Sequence, residues 1–410
     1  MRVVTRELRG EQLALVERLP AEPLTFIRHG DGLVGWGEAR RLTASGAARF
    51  ETLSNAWQVL VRECEVEDPM QLPGTGLVAF GSIAFADDSS AASVLILPKV
   101  LLGSRDGRHW ITTIDGAELP DSDGAEASAG ASAGILETSS MPLQLRSGHQ
   151  SRAGFKESVE AALARISEGS VEKVVLARDL VADVPGDFDL RPTLARLVER
   201  YSSCWVYSVD GMFGASPELL VRVSHRQVSA RVLAGTAGRG TDPSVDHAIG
   251  QALAASHKNL AEHTFAVDSM VKSLEPFCDH VDADSAPFAM PLPNVWHLAS
   301  DVHGVLSRDA SVLDLAAAIH PTAAVAGTPR LAALALISEL EPFDRGRYAG
   351  PVGWIGADGD GEWAIALRGA QLEDGVVRAF AGCGIVAESE PESEASETEL
   401  KFKPIVDALG

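Results

Sequence analysis

The segment Val171-Glu-Lys-Val-Val-Leu-Ala-Arg178 has the composition of a β-strand, because valine and leucine dominate it. Side chains alternate between the two faces of a strand, so Lys173 shares a face with Val175 and Ala177. Burial on that face would disfavour the charged ammonium, lower its pKa and make it usable as a general base. An edge strand with an exposed lysine fits the same pattern, and the segment alone leaves both interpretations open.

The regions around this strand indicate a mixed α+β fold. Strand-like runs cover 77–85 and 93–97, a polar segment of low complexity covers 121–134, and helical patterns cover 155–166, 192–201 and 246–274. Strands and helices do not alternate strictly, so a doubly wound parallel sheet is not indicated. The alanine, serine and glycine of 121–134 predict a flexible loop inside one large fold.

The charge balance restricts the class of partner. The 410 residues include 57 acidic and 35 basic side chains, a formal net charge of −22. Such a surface repels nucleic acid and anionic membranes, so neither is expected as a partner. An anionic substrate would have to be held by local arginine, lysine or a metal ion.

Cysteine spacing and hydropathy predict a cytoplasmic protein. The four cysteines lie far apart, in a pattern that suits neither a zinc site nor a disulfide framework, so a reducing compartment is the simple reading. No segment offers about twenty uninterrupted apolar residues, and the first residues do not form a signal peptide.

An acidic run near the C-terminus is the first candidate metal site. Pro391 suits the first position of a helix, which would place Glu394, Glu397 and Lys401 on one face. Two carboxylates one turn apart repel each other unless a cation lies between them, and Mg²⁺ takes oxygen ligands of this kind. A solvated acidic face explains the same run.

Two further features are ambiguous when taken alone. Glu262 lies off the apolar stripe of its helical segment, so it is either solvated or turned towards a cavity. The glycines of 234–240 and 381–386 allow close approach of a ligand to the backbone, and consecutive N–H groups can bind an anion. Tight turns explain these glycines equally well, and neither segment matches a nucleotide-binding spacing.

The order of the motifs along the chain resembles the chorismate-binding enzymes. They are the Lys173 strand, Ser216-Pro-Glu-Leu-Leu220, Leu233-Ala-Gly-Thr236, Glu262-His263, His297-Leu-Ala-Ser300, His320-Pro-Thr322, Gly327-Thr-Pro-Arg330, Glu341-Pro-Phe-Asp-Arg345, Gly350-Pro-Val-Gly353, 381–386 and Glu394 to Lys401. The resemblance implies one α+β fold over 1–410, like that of anthranilate synthase component I, with two large sheets around a buried site and helices outside. It places the catalytic motifs in 150–410 and a variable half in 1–120.

The resemblance also implies a ligand set. Mg²⁺ would bind the ring carboxylate of chorismate, with Glu262 and Glu397 as direct ligands and Glu394 as a ligand through water. The expected substrate-binding residues are Arg368 and Lys401 at the carboxylates, Thr236, Gly382 and Gly384 along the pocket, and His297 near the ring.

Within this family the residues favour an isochorismate synthase. Lys173 matches the base that deprotonates water for attack at ring carbon 2, and Glu218 matches the acid that protonates the hydroxyl leaving carbon 4. Each positioned proton transfer is typically worth about 10²–10⁴ in rate. The amine-using members lack this lysine and need a glutamine-hydrolysing partner, so no obligatory protein partner is expected.

Two alternatives stay open at this point. Salicylate synthases share the base and the acid and then eliminate pyruvate, but Ala324 matches the small residue typical of isochorismate synthases. A non-catalytic regulator that binds chorismate or metal is the other alternative. The sequence does not say whether isochorismate would feed menaquinone or a siderophore.

Overall fold

The computed structural model describes residues 1–9, 13–117, 143–291 and 295–410. The loop predicted for 121–134 lies outside the described residues.

The helices of the described residues are numbered in chain order. They are α1 (Arg49–Arg62), α2 (Arg152–Ser167), α3 (Arg191–Arg200), α4 (Pro243–Ala255), α5 (His257–Leu274), α6 (Val312–Ile319), α7 (Arg330–Leu340) and α8 (Pro391–Leu409), with short 3₁₀ helices at Leu15–Arg18 and Glu275–Phe277. In the part of the chain that the structure describes, no helix is long and apolar enough to cross a membrane.

The strands are numbered in the same way. They are β1 (Arg2–Leu8), β2 (Leu24–Arg28), β3 (Asp31–Trp36), β4 (Arg40–Ala44), β5 (Glu65–Glu67), β6 (Val78–Ser82), β7 (Ser93–Leu97), β8 (Val100–Arg105), β9 (Arg108–Ile114), β10 (Arg146–Ser147), β11 (Lys173–Asp183), β12 (Trp205–Val209), β13 (Met212–Ser216), β14 (Leu219–Ser224), β15 (Gln227–Gly238), β16 (Cys278–Ala283), β17 (Phe288–Pro291), β18 (Val295–Leu306), β19 (Gly327–Thr328), β20 (Pro351–Gly356), β21 (Gly361–Ile365), β22 (Gly369–Glu373) and β23 (Val376–Ile385).

These strands form two large sheets. The first has the order β10-β11-β23-β22-β13-β12-β2-β3-β8-β9-β1-β5, with β19 also paired to β11. The second has the order β16-β18-β15-β14-β21-β20-β6-β7-β4, with β17 also paired to β18. The longest pairs, β11 with β23 and β15 with β18, are antiparallel. The predicted α+β fold with two large sheets is confirmed.

The two sheets share one hydrophobic core. Phe26 and Trp110 of the first sheet belong to the same buried cluster as Phe80 and Trp363 of the second. A second buried cluster joins the first sheet to helices α3 and α8, which lie outside it. Helix α8 is therefore held against the sheet by apolar burial, the main favourable contribution to folding.

Two of the places where the chain crosses from one sheet to the other are neighbours in space. The first crossing, Ser216 to Leu219, joins β13 to β14, and the second, Ile365 to Gly369, joins β21 to β22. The Ser216 hydroxyl donates a hydrogen bond to the Ile365 carbonyl at 2.6 Å, and the Ile365 N–H donates to the Glu218 carbonyl at 3.1 Å. These bonds hold the two crossings side by side.

A buried ion pair, Arg345 with Glu341, holds strand β11 through hydrogen bonds to its backbone. Arg345 donates to both carboxylate oxygens of Glu341, at 2.6 and 2.8 Å, and both side chains are almost fully buried. Arg345 also donates to the carbonyls of Val175 and Val325, while Glu341 accepts the Ala177 N–H at 2.7 Å. The pair thus connects β11 to the turn that precedes β19.

Glu341→Gln is expected to lower the free energy of unfolding by about 3–5 kcal/mol, because it leaves the Arg345 charge buried and uncompensated. Urea unfolding measures this loss. Glu339→Gln, two residues earlier at the end of α7, is the matched control: its carboxylate pairs with Arg165 at the exposed surface, and its effect should stay below about 1 kcal/mol. Equal losses in both variants would contradict a special role for the buried pair.

Candidate active site

The two crossings between the sheets carry Glu218 and Arg368. The Glu218 N–H donates to the Ser216 hydroxyl at 3.2 Å, which fixes the turn that presents the carboxyl group. Arg368 has a φ of 48°, an uncommon conformation for a residue with a side chain, and it lies between β21 and β22. The Tyr207 hydroxyl supports this second crossing by donating to the Leu367 carbonyl at 3.0 Å.

The carboxyl group of Glu218 is affected by burial and by three nearby cations. Burial raises the pKa of this carboxyl group above its usual value, and the positive charges of Lys173, Arg368 and Lys401 oppose that rise. Removing a carboxylate from water favours its protonated form. Four side chains that the sequence predicted separately are therefore close enough to interact electrostatically, and the carboxyl group has a bias towards the state that can donate a proton.

Lys173 lies at the first residue of β11 and is half-buried. Strand β11 pairs with β23 on one side and with β10 and β19 on the other, so Lys173 does not belong to an edge strand. A Cβ atom added at Gly384 would lie 2.8 Å from Lys173 Cε and 3.5 Å from Nζ. A side chain at position 384 would therefore shift the end of the lysine side chain from its present place over strand β23.

Helix α8 brings the C-terminal charges to the same strand. It begins at Pro391, as predicted. Lys401 donates from Nζ to the Gly382 carbonyl at 2.8 Å and pairs with Glu397 at 2.5 Å. Lys401 thus contacts both of the other predicted positions, Gly382 and Glu397.

Glu394 is a buried acidic residue of α8. Its side chain is buried, and among the described residues its Oε2 atom has no hydrogen-bond partner. An unpaired buried carboxylate oxygen is costly unless a cation satisfies it. Glu397, one turn further along α8, offers a second carboxylate of the kind that Mg²⁺ prefers.

For Glu262, the predicted third metal ligand, the structure describes only the backbone. The backbone of Glu262 belongs to α5, but its side chain lies outside the described residues. Among the side chains that are described, no group of three or more His, Cys, Asp or Glu is arranged to hold a metal ion. The residues present fit Mg²⁺ in donor type, and the ligand set stays a prediction.

His297 faces the same charges from the second sheet. Burial lowers the pKa of this imidazole, and the cations of Lys173 and Lys401 lower it further, while a hydrogen bond to the Gly235 backbone acts in the opposite direction. His297 is therefore neutral near pH 7 and suited to hydrogen bonding. It pairs through the backbone with Thr236, whose side chain lies outside the described residues.

Ala324 lies in a turn that is anchored to the Lys173 strand. The Thr322 carbonyl accepts the N–H groups of Val325 and Ala326 at 3.1 and 3.0 Å, and the Val175 N–H of β11 donates to the Ala326 carbonyl at 2.9 Å. The half-buried Ala324 methyl is thus held on the turn beside the strand that carries the proposed base.

Sequence reasoning missed Ser216, whose hydroxyl joins the two crossings. Its position two residues before Glu218 in Ser-Pro-Glu was the available signal, because a serine at that spacing can accept the N–H of the second residue after it.

A family model described as chorismate binding enzyme matches residues 14–410. The chain belongs to the chorismate-binding enzyme family. The resemblance inferred from the order of the motifs is therefore confirmed.

Several relatives within this family are isochorismate synthases by name. DhbC of Bacillus subtilis (strain 168) is 39% identical over 269 residues, which cover 62% of this chain and 67% of that protein. The salicylate biosynthesis isochorismate synthase of Pseudomonas aeruginosa is 32% identical over 396 residues, which cover 91% of this chain and 82% of that protein.

Solved structures of the family have the same fold. MenF, the menaquinone-specific isochorismate synthase from Escherichia coli, superimposes with a TM-score of 0.75 at 26% identity, over 100% of this chain and 94% of that one. Anthranilate synthase component I from Streptococcus pneumoniae, at 22% identity and a TM-score of 0.71 over 97% of this chain and 95% of that one, shares the fold.

The pH dependence of stability should report on His320, at the start of the Ala324 turn. Its Nε2 donates to the Phe85 carbonyl at 3.0 Å, and its Nδ1 is buried without a partner among the described residues. Burial lowers the pKa of His320 from 6.5 to about 3. The unfolded chain therefore takes up a proton between these values and the folded chain does not, so acidification favours unfolding.

Between pH 7 and pH 5 this one histidine should cost about 2 kcal/mol of folding free energy. Urea unfolding at the two pH values measures the loss. His320→Gln keeps a donor for the Phe85 carbonyl but cannot titrate, so its stability should fall less over the same interval. An unchanged pH slope in this variant would show that His320 is protonated in the folded state.

Proposed function

We propose that this protein is an isochorismate synthase that converts chorismate to isochorismate with Mg²⁺. The observation that carries the proposal is that the positive charges of three cations act on the carboxyl group of Glu218. The cations are Lys173, Arg368 and Lys401, and all four side chains are half-buried. The relatives named isochorismate synthase, at 32–39% identity, support the same reaction.

Lys173 and Glu218 would act as base and acid. The Lys173 amine takes a proton from water as the water oxygen bonds to ring carbon 2. The ring double bonds shift, the bond from carbon 4 to its hydroxyl breaks, and Glu218 gives the proton that lets this group leave as water. The raised pKa of Glu218 supports its role, because only the protonated acid can donate.

The cations near Glu218 would hold the dianionic substrate. Burial lowers the pKa of Arg368 from its high usual value, but a guanidinium stays charged at neutral pH. Together with Lys401 it concentrates positive charge in a protein whose formal net charge is −22. Attraction between opposite charges is stronger in a partly desolvated site than in water, so these two groups can offset the repulsion from the acidic surface.

Glu394 and Glu397, with Glu262 from α5, would hold the Mg²⁺ ion. When bound, the ion would supply positive charge to the ring carboxylate of the substrate. The buried Oε2 atom of Glu394 supports this assignment, because a carboxylate oxygen without a partner among the described residues is available to a cation or to its bound water.

Product analysis tests the proposal directly. Purified protein is incubated with chorismate and Mg²⁺, with a chelated sample beside it, and the products are separated by chromatography. Isochorismate without pyruvate, formed only with the metal, is the expected result. Salicylate with an equal amount of pyruvate would show that the protein is a salicylate synthase. Binding of chorismate without any product would favour a non-catalytic regulator.

Lys173→Ala and Glu218→Gln should each lower kcat by about 10²-fold or more, because each removes one positioned proton transfer. Circular dichroism and thermal unfolding control for the fold, which both variants should keep. Near-normal turnover in either variant would remove that residue from the mechanism.

Glu394→Gln should have opposite effects on metal binding and on stability. Loss of a metal-orienting carboxylate typically costs about 10- to 100-fold in metal affinity. Without Mg²⁺, however, the variant should gain about 1 kcal/mol in the free energy of unfolding, because a neutral amide costs less to bury than a carboxylate whose Oε2 atom has no hydrogen-bond partner among the described residues. Calorimetric titration with Mg²⁺ and urea unfolding measure the two effects.

Glu390→Gln is the matched control, because it removes the same charge from an exposed position just before α8. It should change neither quantity. A Glu394→Gln variant that binds Mg²⁺ as tightly as the parent would remove Glu394 from the metal site.

A further inference from the structure

Arg178 is a buried cation that the proposed reaction does not use. It lies on β11, five residues after Lys173, and its side chain is only 4% exposed. Its Nε donates to the Thr398 hydroxyl at 2.7 Å, and its guanidinium lies 5.0 Å from the centre of the Phe402 ring. Both partners belong to α8, so one side chain joins the strand of the proposed base to the helix of the proposed metal ligands.

Burial of this arginine is unfavourable in itself. Loss of water lowers the pKa of Arg178, and its nearest carboxylate, on Glu399, is 3.7 Å away and half-exposed. An apolar side chain would fill the same space without that desolvation. A guanidinium differs from an apolar group in its fixed, planar set of donors, which defines the orientation of whatever it binds.

The spacing along α8 shows what Arg178 can orient. Ala395, Thr398 and Phe402 are buried and follow one another at helical spacing. Glu394, Glu397 and Lys401 each precede one of them by a single residue, so the two rows differ by about 100° of rotation around the helix axis. Holding one row in place therefore determines where the other row points.

The hydrogen bond to Thr398 has a defined direction. The Thr398 hydroxyl donates to the Ala395 carbonyl within α8 at 2.6 Å, so it accepts from Arg178. Because both groups are buried, the bond does not compete with water, and a rotation of α8 would break it. The contact is thus specific for one rotational setting of the helix.

Arginines of two neighbouring helices also contact α8. Arg152, on α2, donates to Glu399 at 2.8 Å and to Glu392 at 2.5 Å from a partly exposed position. Arg196, on α3, donates to the Ala408 carbonyl at 2.8 Å near the end of the helix. Arg178, like Arg152 at Glu399, contacts the middle of α8, but it does so from a buried position on the strand that carries Lys173.

We infer that Arg178 is a positioning residue that sets the rotation of α8, so that Glu394, Glu397 and Lys401 face the site that contains Lys173. The inference rests on the proposed function, because it assigns to α8 the proposed metal and carboxylate ligands. It adds a residue that acts through the helix and does not touch the substrate.

The test compares Arg178→Met with Thr398→Val, which removes only the hydroxyl from the other side of the bond. Both should weaken Mg²⁺ binding in calorimetric titration and raise the KM for chorismate by about tenfold, since residues that orient metal ligands typically contribute 10- to 100-fold. Arg178→Lys keeps the charge but loses the planar donors, and should not restore either value. Hydrogen exchange of the α8 amides should be faster in Arg178→Met.

Arg49→Met is the matched control for general destabilisation. Arg49 is equally buried and donates to the Ala84 and Phe85 carbonyls. This variant should lose thermal stability yet keep Mg²⁺ affinity, KM and the exchange of α8 within about twofold, well short of the effect of losing a ligand-orienting group.

Two outcomes would overturn the inference. One is that Arg178→Met lowers only the unfolding temperature, with unchanged Mg²⁺ affinity, KM and α8 exchange. The other is that Arg49→Met shifts these quantities as much as Arg178→Met does. If the unmutated protein makes no isochorismate, the proposed function is wrong. The role of Arg178 would then be decided only by Mg²⁺ titration and by hydrogen exchange of the α8 amides.

Discussion

The site depends on the chain crossing twice between the two sheets at one place. A crossing interrupts both sheets, so its backbone polar groups need other partners. The Ser216 hydroxyl donates to the Ile365 carbonyl and the Ile365 N–H donates to the Glu218 carbonyl, so the crossings lie side by side. Glu218 and Arg368 are the residues that these crossings present. An acid and a cation from distant parts of the chain are thereby brought together by one hydrogen bond from a serine side chain and one between backbone groups.

Burial and charge act against each other throughout this region. Burial raises the pKa of Glu218 while three cations oppose the rise, and burial lowers the pKa of Arg368 while carboxylates oppose the fall. Neither effect removes the other, so the pKa of Glu218 stays above its usual value and that of Arg368 stays below its own. A raised carboxyl pKa beside charged cations is the environment that a general acid requires.

Local spacing predicted the parts of the site that a single element determines. Glu394, Glu397 and Lys401 could be placed on one helix face because a helix has a fixed period, and α8 begins at Pro391 as expected. Local spacing could not decide whether Lys173 lies on an exposed edge strand or inside the sheet. That depends on β19 and β23, which pair with β11 from far along the chain. The contact of Arg178 with Thr398 escaped notice for the same reason.

The close approach of Lys173 to Gly384 also constrains how this sequence can change over evolutionary time. Any residue with a Cβ at position 384 would displace the lysine side chain, because the two would come within 2.8 Å. Whether a substitution at one position is harmful therefore depends on the residue at the other, which makes them an epistatic pair. A lineage that abandoned the lysine would release position 384 from this restraint, and larger side chains could then accumulate there.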